Sequence, residues 1–310
     1  DVPGIIDGKA AINDVVASWD PNEMVGPQGV GDEHFIGPTQ TVNYRILFEN
    51  KAEAGDAAYR IRISDTLDPE VFDLTSVRFG ETSHDGMGYN WKMKREDNTL
   101  SWDIEGIELP PNVNAPEGEG YVTFSVDLKP GLAHGTKIKN KATIIFDKNF
   151  PIETNEFENT LDLVAPTTQM AHAIRSTDKT KAKIAFRSED TDAGVGSYLL
   201  YASKDGAEYE YAGQFFTSYA EYVIDPESEY SFYVLAVDAV GNVESFAPKA
   251  VQLMDGIKGD VNIDYIVDVA DIASVISVMT GNTTNVDADV NNDGTVDVAD
   301  IATIISIMAK

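Results

Sequence analysis

The sequence predicts a multidomain chain: two all-β sandwiches followed by a small all-α tail with paired acidic loops. Three observations carry this. From residue 41 onward, short apolar-alternating segments alternate with Pro-, Gly- and Asn-rich joints. At "DLVAPTTQM" the series breaks and a second one begins. The tail then repeats itself: "GDVNIDYIVDVADIASVISVM" (259–279) and "ADVNNDGTVDVADIATIISIM" (288–308) superpose without a gap at an offset of 29.

The first element is assigned to residues 1–164. "TVNYRILFEN", "AAYRIRISDTL", "SVRFG", "NTLSWDI", "GYVTFSVDL" and "TKIKNKATIIFD" read as strands, and Val42, Tyr44, Ile46 and Phe48 fall on one face at period two. The joints "DNTLS", "KPGLAHG" and "LPPNVNAPEGEG" favour turns over helices. Many short strands so punctuated predict a sandwich. Pro166 marks a boundary, and residues 165–252 repeat the signature. In "YSFYVLAVDAVGNVESF", Phe232, Val234 and Ala236 alternate with Tyr233, Leu235 and Val237, so both faces are apolar, as in a central strand. Residues 253–310 form the tail.

Composition narrows the function. The chain has 310 residues, no cysteine and a net charge of −29, with 23 basic against 52 acidic residues. Nucleic acid is disfavoured, because phosphate binding needs clustered Lys and Arg. No disulfide can staple a small module, so an undersized one depends on metal or on packing. No apolar run reaches the length of a membrane span. The start, "DVPGIIDGKA", lacks both an initiator Met and a basic n-region and is expected to be a cut end.

The repeated acidic runs have the spacing of a calcium loop. Calcium takes 6–8 oxygens, which a 12-residue loop supplies from positions 1, 3, 5, 7, 9 and 12. In the first copy these are Asp260, Asn262, Asp264, the Ile266 carbonyl, Asp268 and Asp271. In the second they are Asp289, Asn291, Asp293, the Thr295 carbonyl, Asp297 and Asp300. Two calcium ions, one per loop, are expected, and they would relieve the repulsion among the carboxylates. Loop position 6 is Gly294 in the second copy and Tyr265 in the first, where a left-handed backbone costs about 1–2 kcal/mol. The first loop is therefore expected to bind about tenfold more weakly unless packing relieves the cost.

After each loop an amphipathic helix is predicted. Ile272, Val275 and Met279, with their copies Ile301, Ile304 and Met308, form its core stripe. A second face holds Val269, Ala270, Ala273 and Ser277, repeated as Val298, Ala299, Ala302 and Ser306, with Ile276 and Ile305 on its border. It either packs internally or meets a partner.

The paired loops resemble the EF-hand-like duplicated repeat of type I dockerins, over residues 259–309. As in dockerins, the helix before each loop is missing. The resemblance implies that a cohesin of a scaffold protein is the partner and that the second helical face, led by Val269, Ala270, Val298 and Ala299, binds it in two equivalent orientations. It also implies a cellulosome-like, calcium-stabilised assembly, and a secreted or surface bacterial protein concerned with polysaccharide metabolism. "DTDAGVGSYLLYASKDG" with "YSFYVLAVDAVGNVE" resembles fibronectin type III-like modules, and "SWDPNE" with "NKATIIFDKNFPIETNEFENTLD" resembles immunoglobulin-like repeats of bacterial surface proteins; both imply spacers.

Catalysis is not predicted. His34, His84, His134 and His172 show no zinc-binding spacing, and no G-x-S-x-G or phosphate loop occurs. Paired glycosidase carboxylates cannot be recognised by spacing, and a catalytic domain upstream is compatible with the sequence. The alternative function is a carbohydrate-binding or adhesive sandwich, or an accessory part of a polysaccharide-degrading enzyme. Its aromatic candidates are Trp91, Trp102, Tyr209 and Tyr211. Asp20, Asn22, Asp147, Asn149 and Asn155 either frame a third calcium site or bond their own backbone as turn residues.

Overall fold

The structure, a computed structural model, describes residues 22–38, 41–84, 87–176, 179–245, 250–283 and 285–310. Of these, the residues within 1–28 and 39–160 form one compact unit, and those within 29–38 and 161–310 form another.

The first unit contains two main sheets. One runs in the order Met24–Val25, Thr41–Glu49, Glu119–Leu128, Phe72–Thr82, and the other Ile152–Glu153, Ala142–Phe146, Ala58–Thr66, Thr99–Leu109, Trp91–Glu96. The period-two strand Thr41–Glu49 buries Val42, Tyr44, Ile46 and Phe48, all at most 2% exposed. Tyr44, Phe72, Phe124 and Trp102 interlock between the sheets, with ring centroids 5.2–6.3 Å apart along the series. Asp65, 1% exposed, lies in this core and accepts a hydrogen bond from Asn140 Nδ2 at 2.9 Å, while its Oδ1 has no partner. Burial pushes its carboxyl up to about 7, against the lowering effect of Asn140.

The second unit also holds two four-stranded sheets: Tyr219–Val223, Lys181–Glu189, Thr167–Arg175, Met254–Asp255, and Glu210–Phe215, Val195–Lys204, Tyr230–Asp238, Val251–Gln252. Between them lie Ile184, Phe186, Leu200, Phe232 and Ala236. Both faces of Tyr230–Asp238 are apolar in sequence, and the structure makes them unequal: Phe232, Val234 and Ala236 are buried, Tyr233, Leu235 and Val237 half-buried.

Two helices follow, α1 Val269–Met279 and α2 Val298–Met308. They enclose a small core of Val261, Val275, Ala288, Val290 and Ile304, with Ile272, Val278, Ile301 and Ile307 packed against it. The inward positions are thus three apart, and Met279 and Met308, placed in the core stripe by sequence, are 41% and 42% exposed. Several contacts tie the tail to the preceding sheets. The Lys183 ammonium, almost wholly buried, pairs with Asp287; the Tyr265 hydroxyl donates to the Ala173 carbonyl at 2.9 Å; and Ile174 pairs with Met254 in parallel register.

The predicted fold class is corrected here. The described residues make a multi-sheet all-β fold with two 11-residue helices, and among them a small all-α dockerin domain is not present as a separate element. The core of the tail is small, five buried residues with six partly buried ones packed against them. The tail gains a buried ion pair, a hydrogen bond and a strand pairing from its neighbour.

Candidate functional site

Three groups of side chains are candidate sites: the acidic loops, the helical face and the aromatic surface of the second unit.

The two acidic loops fold alike. Asp260 Oδ1 and Oδ2 accept the N–H groups of Asp264 and Tyr265 at 3.1 and 3.0 Å, and Asp289 accepts those of Asp293 and Gly294 at 3.1 and 2.9 Å. Asn262 and Asn291 each close onto the aspartate two residues on, through both amide and carbonyl. Asp264 accepts from Ile266 N, and Asp293 from Thr295 N and Oγ1. Asp268 and Asp297 are the N-caps of α1 and α2, and Asp271 and Asp300 complete capping boxes from N3. Both N3 carboxylates are fully buried; Asp271 accepts from Val261, Asn262 and Asp268 N–H, and Asp300 from Asn291 and Asp297 N–H.

Position 6 takes the left-handed backbone in both copies, with φ +66° at Tyr265 and +92° at Gly294. Tyr265 is held there by its bond to Ala173 and by an edge contact with the His172 ring at 4.7 Å. Burial, seconded by the neighbouring Asp271, raises the Asp260 carboxyl above its ordinary range, whereas the Thr295 hydroxyl and N–H hold Asp293 below it. The donors are all oxygen, as calcium requires. Among the described residues, however, no three carboxylates of either loop approach within 4.8 Å of one another. Backbone N–H groups meet much of the negative charge, through a chain of Asx turns leading into a capped helix.

The second helical face is open in both copies. Val269 is 70% and Val298 68% exposed; Ile276, Ile305, Ala270, Ala273, Ala299, Ala302 and Ser306 are also exposed, and Ser277 is half-buried.

The aromatic candidates separate cleanly. Trp102 is fully buried in the first core. Trp91 donates its Nε1 to the Ser83 carbonyl at 3.2 Å and packs on Phe48, so neither indole is a free platform. Tyr211 is 58% exposed, and it belongs to a row that the sequence did not reveal. Tyr201 is the register partner of both Tyr211 and Tyr233 on the adjacent strands. The Tyr201 and Tyr233 rings stack at 4.6 Å and 12°, Tyr211 meets Tyr201 at 5.7 Å, and Tyr209 meets Tyr233 at 4.8 Å. Tyr209 and Ser231 share a hydroxyl hydrogen bond of 2.9 Å. Burial, then the neighbouring Tyr201 and Tyr209, pushes the Tyr233 phenol upward, keeping it a neutral donor. Three tyrosines from three adjacent strands, with Tyr209 from the segment just before Glu210–Phe215, thus make a half-exposed patch. A cross-strand pairing pattern would have found Tyr201 and Tyr233, had the register been known.

Of the residues named for a third calcium site, Asn22 is buried and its Oδ1 has no hydrogen-bond partner, while two others bond backbone groups. Asp147 Oδ1 accepts the Tyr59 and Arg60 N–H groups, and Asn155 bonds Met24 through both its N–H and carbonyl. Asp20 lies outside the described residues.

Residues 20–160 match a family model described as a domain of unknown function, DUF7619. No curated protein matches the sequence. Among solved structures, the chain is similar to domains D2 and D3 of the major pilin SpaD from Corynebacterium diphtheriae, at 15% identity, covering 74% of this chain and 88% of that one with a TM-score of 0.30. The C-terminal domain of the antigen I/II-family protein AspA from Streptococcus pyogenes shares 10% identity, over 76% and 99% of the two chains, TM-score 0.36. A collagen-binding domain from a Staphylococcus aureus adhesin shares 12%, over 47% and 99%, TM-score 0.29.

The dockerin resemblance is corrected accordingly, together with the EF-hand, cohesin and cellulosome assignments that followed from it. Among the described residues the helices are two 11-residue segments, and they belong to the same compact unit as the two four-stranded sheets of residues 161–255. The physical cause of the misassignment is local. Asp-x-Asn-x-Asp followed by Asp-x-x-Asp also encodes Asx turns and a capping box, which close on backbone N–H groups without specifying a module. No helix among the described residues is long and apolar enough to cross a membrane.

Proposed function

We propose that this is an adhesive region of a cell-surface protein, which holds polysaccharide on the tyrosine patch of its second unit. The observation that carries this is the cross-strand row Tyr211, Tyr201 and Tyr233, joined by Tyr209. Sugar rings present apolar C–H faces that stack on aromatic rings, while their hydroxyls seek donors and acceptors at the rim. Phenols supply both in one side chain. A patch of neighbouring strands spaced about 4.8 Å apart is a flat platform, suited to an extended chain rather than to an enclosed small molecule. Three strands of the same sheet fix the rings, so little ordering accompanies binding.

Calcium in the two acidic loops belongs to this proposal as a structural ion. Asp260, Asn262, Asp264 and Asp268, and Asp289, Asn291, Asp293 and Asp297, would hold it, with Asp271 and Asp300 beneath them. The ion supplies neutralisation of clustered carboxylates on an already acidic chain. The exposed face around Val269 and Val298 favours a second contact, with protein, because two copies of one apolar surface stand open.

The test is a glycan array probed with the full chain and with Tyr211→Ala. Selective binding lost in the variant supports the proposal. Binding that survives the change, or no binding to any glycan, rejects the tyrosine patch as the site.

A further inference from the structure

Three aspartates far apart in sequence meet at one end of the second unit. Asp162 precedes its first strand, Asp190 sits in the turn between Lys181–Glu189 and Val195–Lys204, and Asp238 ends Tyr230–Asp238. One carboxylate oxygen from each lies within 4.8 Å of the other two. Asp162 is 0% and Asp238 4% exposed.

Several oxygens of the three already accept N–H groups. Asp162 accepts from Val164 N at 2.9 Å and Ala193 N at 3.2 Å. Asp190 Oδ1 accepts from Asp192 N and Gly194 N at 3.0 and 2.8 Å. Asp238 Oδ1 accepts from Val240 N and Asn242 N, and its Oδ2 from Asn242 Nδ2 at 2.7 Å. Asp190 Oδ2 is different. It is shut off from solvent and has no hydrogen-bond partner. A carboxylate oxygen so placed forfeits its hydration without replacement, which is costly unless a cation takes it up.

We propose that Asp162, Asp190 and Asp238 bind one hard divalent cation, calcium, through Asp190 Oδ2 and an oxygen of each of the other two. Calcium–oxygen distances of about 2.3–2.6 Å put ligands on opposite sides of an ion about 5 Å apart at most, and the cluster falls within that span. All donors are oxygen and none is nitrogen or sulfur, which selects calcium over zinc. The ion would join three turns that Asn242, donating to the Asp162 carbonyl at 3.1 Å, and Ala239, donating to the Gly194 carbonyl at 2.9 Å, already bring together. Its place in the fold makes it a clamp on the entry to the second unit. It shares no residue with the tail loops, so it stands whether or not they bind metal.

The experiment counts calcium bound to the full chain by native mass spectrometry and calorimetry, for the unaltered protein and for Asp190→Asn with Asp238→Asn. The result expected is one ion fewer in the variant. An equal count in a variant with unchanged circular dichroism overturns the proposal. Terbium-soaked crystals of the unaltered protein give the direct answer if the variant does not fold. An anomalous peak among the three carboxylates supports the site, and its absence there overturns it.

Discussion

Asp65 makes the stability of the first unit depend on pH in an unusual direction. Its carboxyl titrates near 7 in the folded chain, against about 3.9 when unfolded. Between these values the folded state holds the extra proton, so stability is greatest below the unfolded value and falls as pH rises toward 7. At about 1.4 kcal/mol per pH unit, the two units from pH 5 to 7 amount to roughly 3 kcal/mol, and little further change follows at pH 8. The perturbation is Asp65→Asn, which keeps the shape and removes the titration. The assay is urea unfolding followed by tryptophan fluorescence, since all three tryptophans, Trp19, Trp91 and Trp102, precede residue 103 and report on the first unit's part of the sequence. The unaltered protein is expected to lose roughly 3 kcal/mol between pH 5 and 8 relative to the variant. A difference that stays flat over this range refutes the assignment of a buried, proton-holding Asp65.

Further outcomes follow from the second unit. Removing calcium with EDTA is expected to reduce the helical circular dichroism of α1 and α2, since an ion at a hundred times its Kd stabilises by about 2.7 kcal/mol; an unchanged spectrum and thermal midpoint would count against metal in the loops. Calorimetry should show the Gly294 loop binding more tightly than the Tyr265 loop, and equal sites would show that the Ala173 and His172 contacts fully offset the backbone cost. Ile304→Ala removes a fully buried side chain from a small core and should cost about 2–5 kcal/mol, read from the thermal midpoint of the helical signal. Tyr265→Phe deletes the bond to Ala173 and should lower that midpoint by an amount equivalent to about 0.5–1.5 kcal/mol; no change would make the ring contact alone responsible.

Local pattern was legible where one face of an element is buried. Thr41–Glu49 shows it: period two in sequence becomes alternating burial in space. The helices show where such pattern is weaker, because a short helix on a small core turns slightly, bringing Val278 and Ile307 inward and leaving Met279 and Met308 out. The acidic loops show how one pattern serves two physical ends, since carboxylates spaced for an ion are also spaced for Asx turns and caps. What sequence could not show were the pairings across distance. Tyr201 meets Tyr211 and Tyr233 only through strand register, and Asp162, Asp190 and Asp238 meet only through three separate turns. Neither group has a spacing to detect. Asp65 likewise looked like one more surface acid among 52, until burial set it apart.

Polysaccharide binding is proposed for the tyrosine patch. Affinity gel electrophoresis of the full chain in soluble polysaccharides, beside Tyr211→Ala, tests it most directly, because Tyr211 is largely exposed and its loss leaves the core intact. One stacked ring is worth about 0.5–1.5 kcal/mol, so retardation of the unaltered chain should weaken by about two- to tenfold in the variant. Equal retardation of the two proteins, or none of either, would contradict the account.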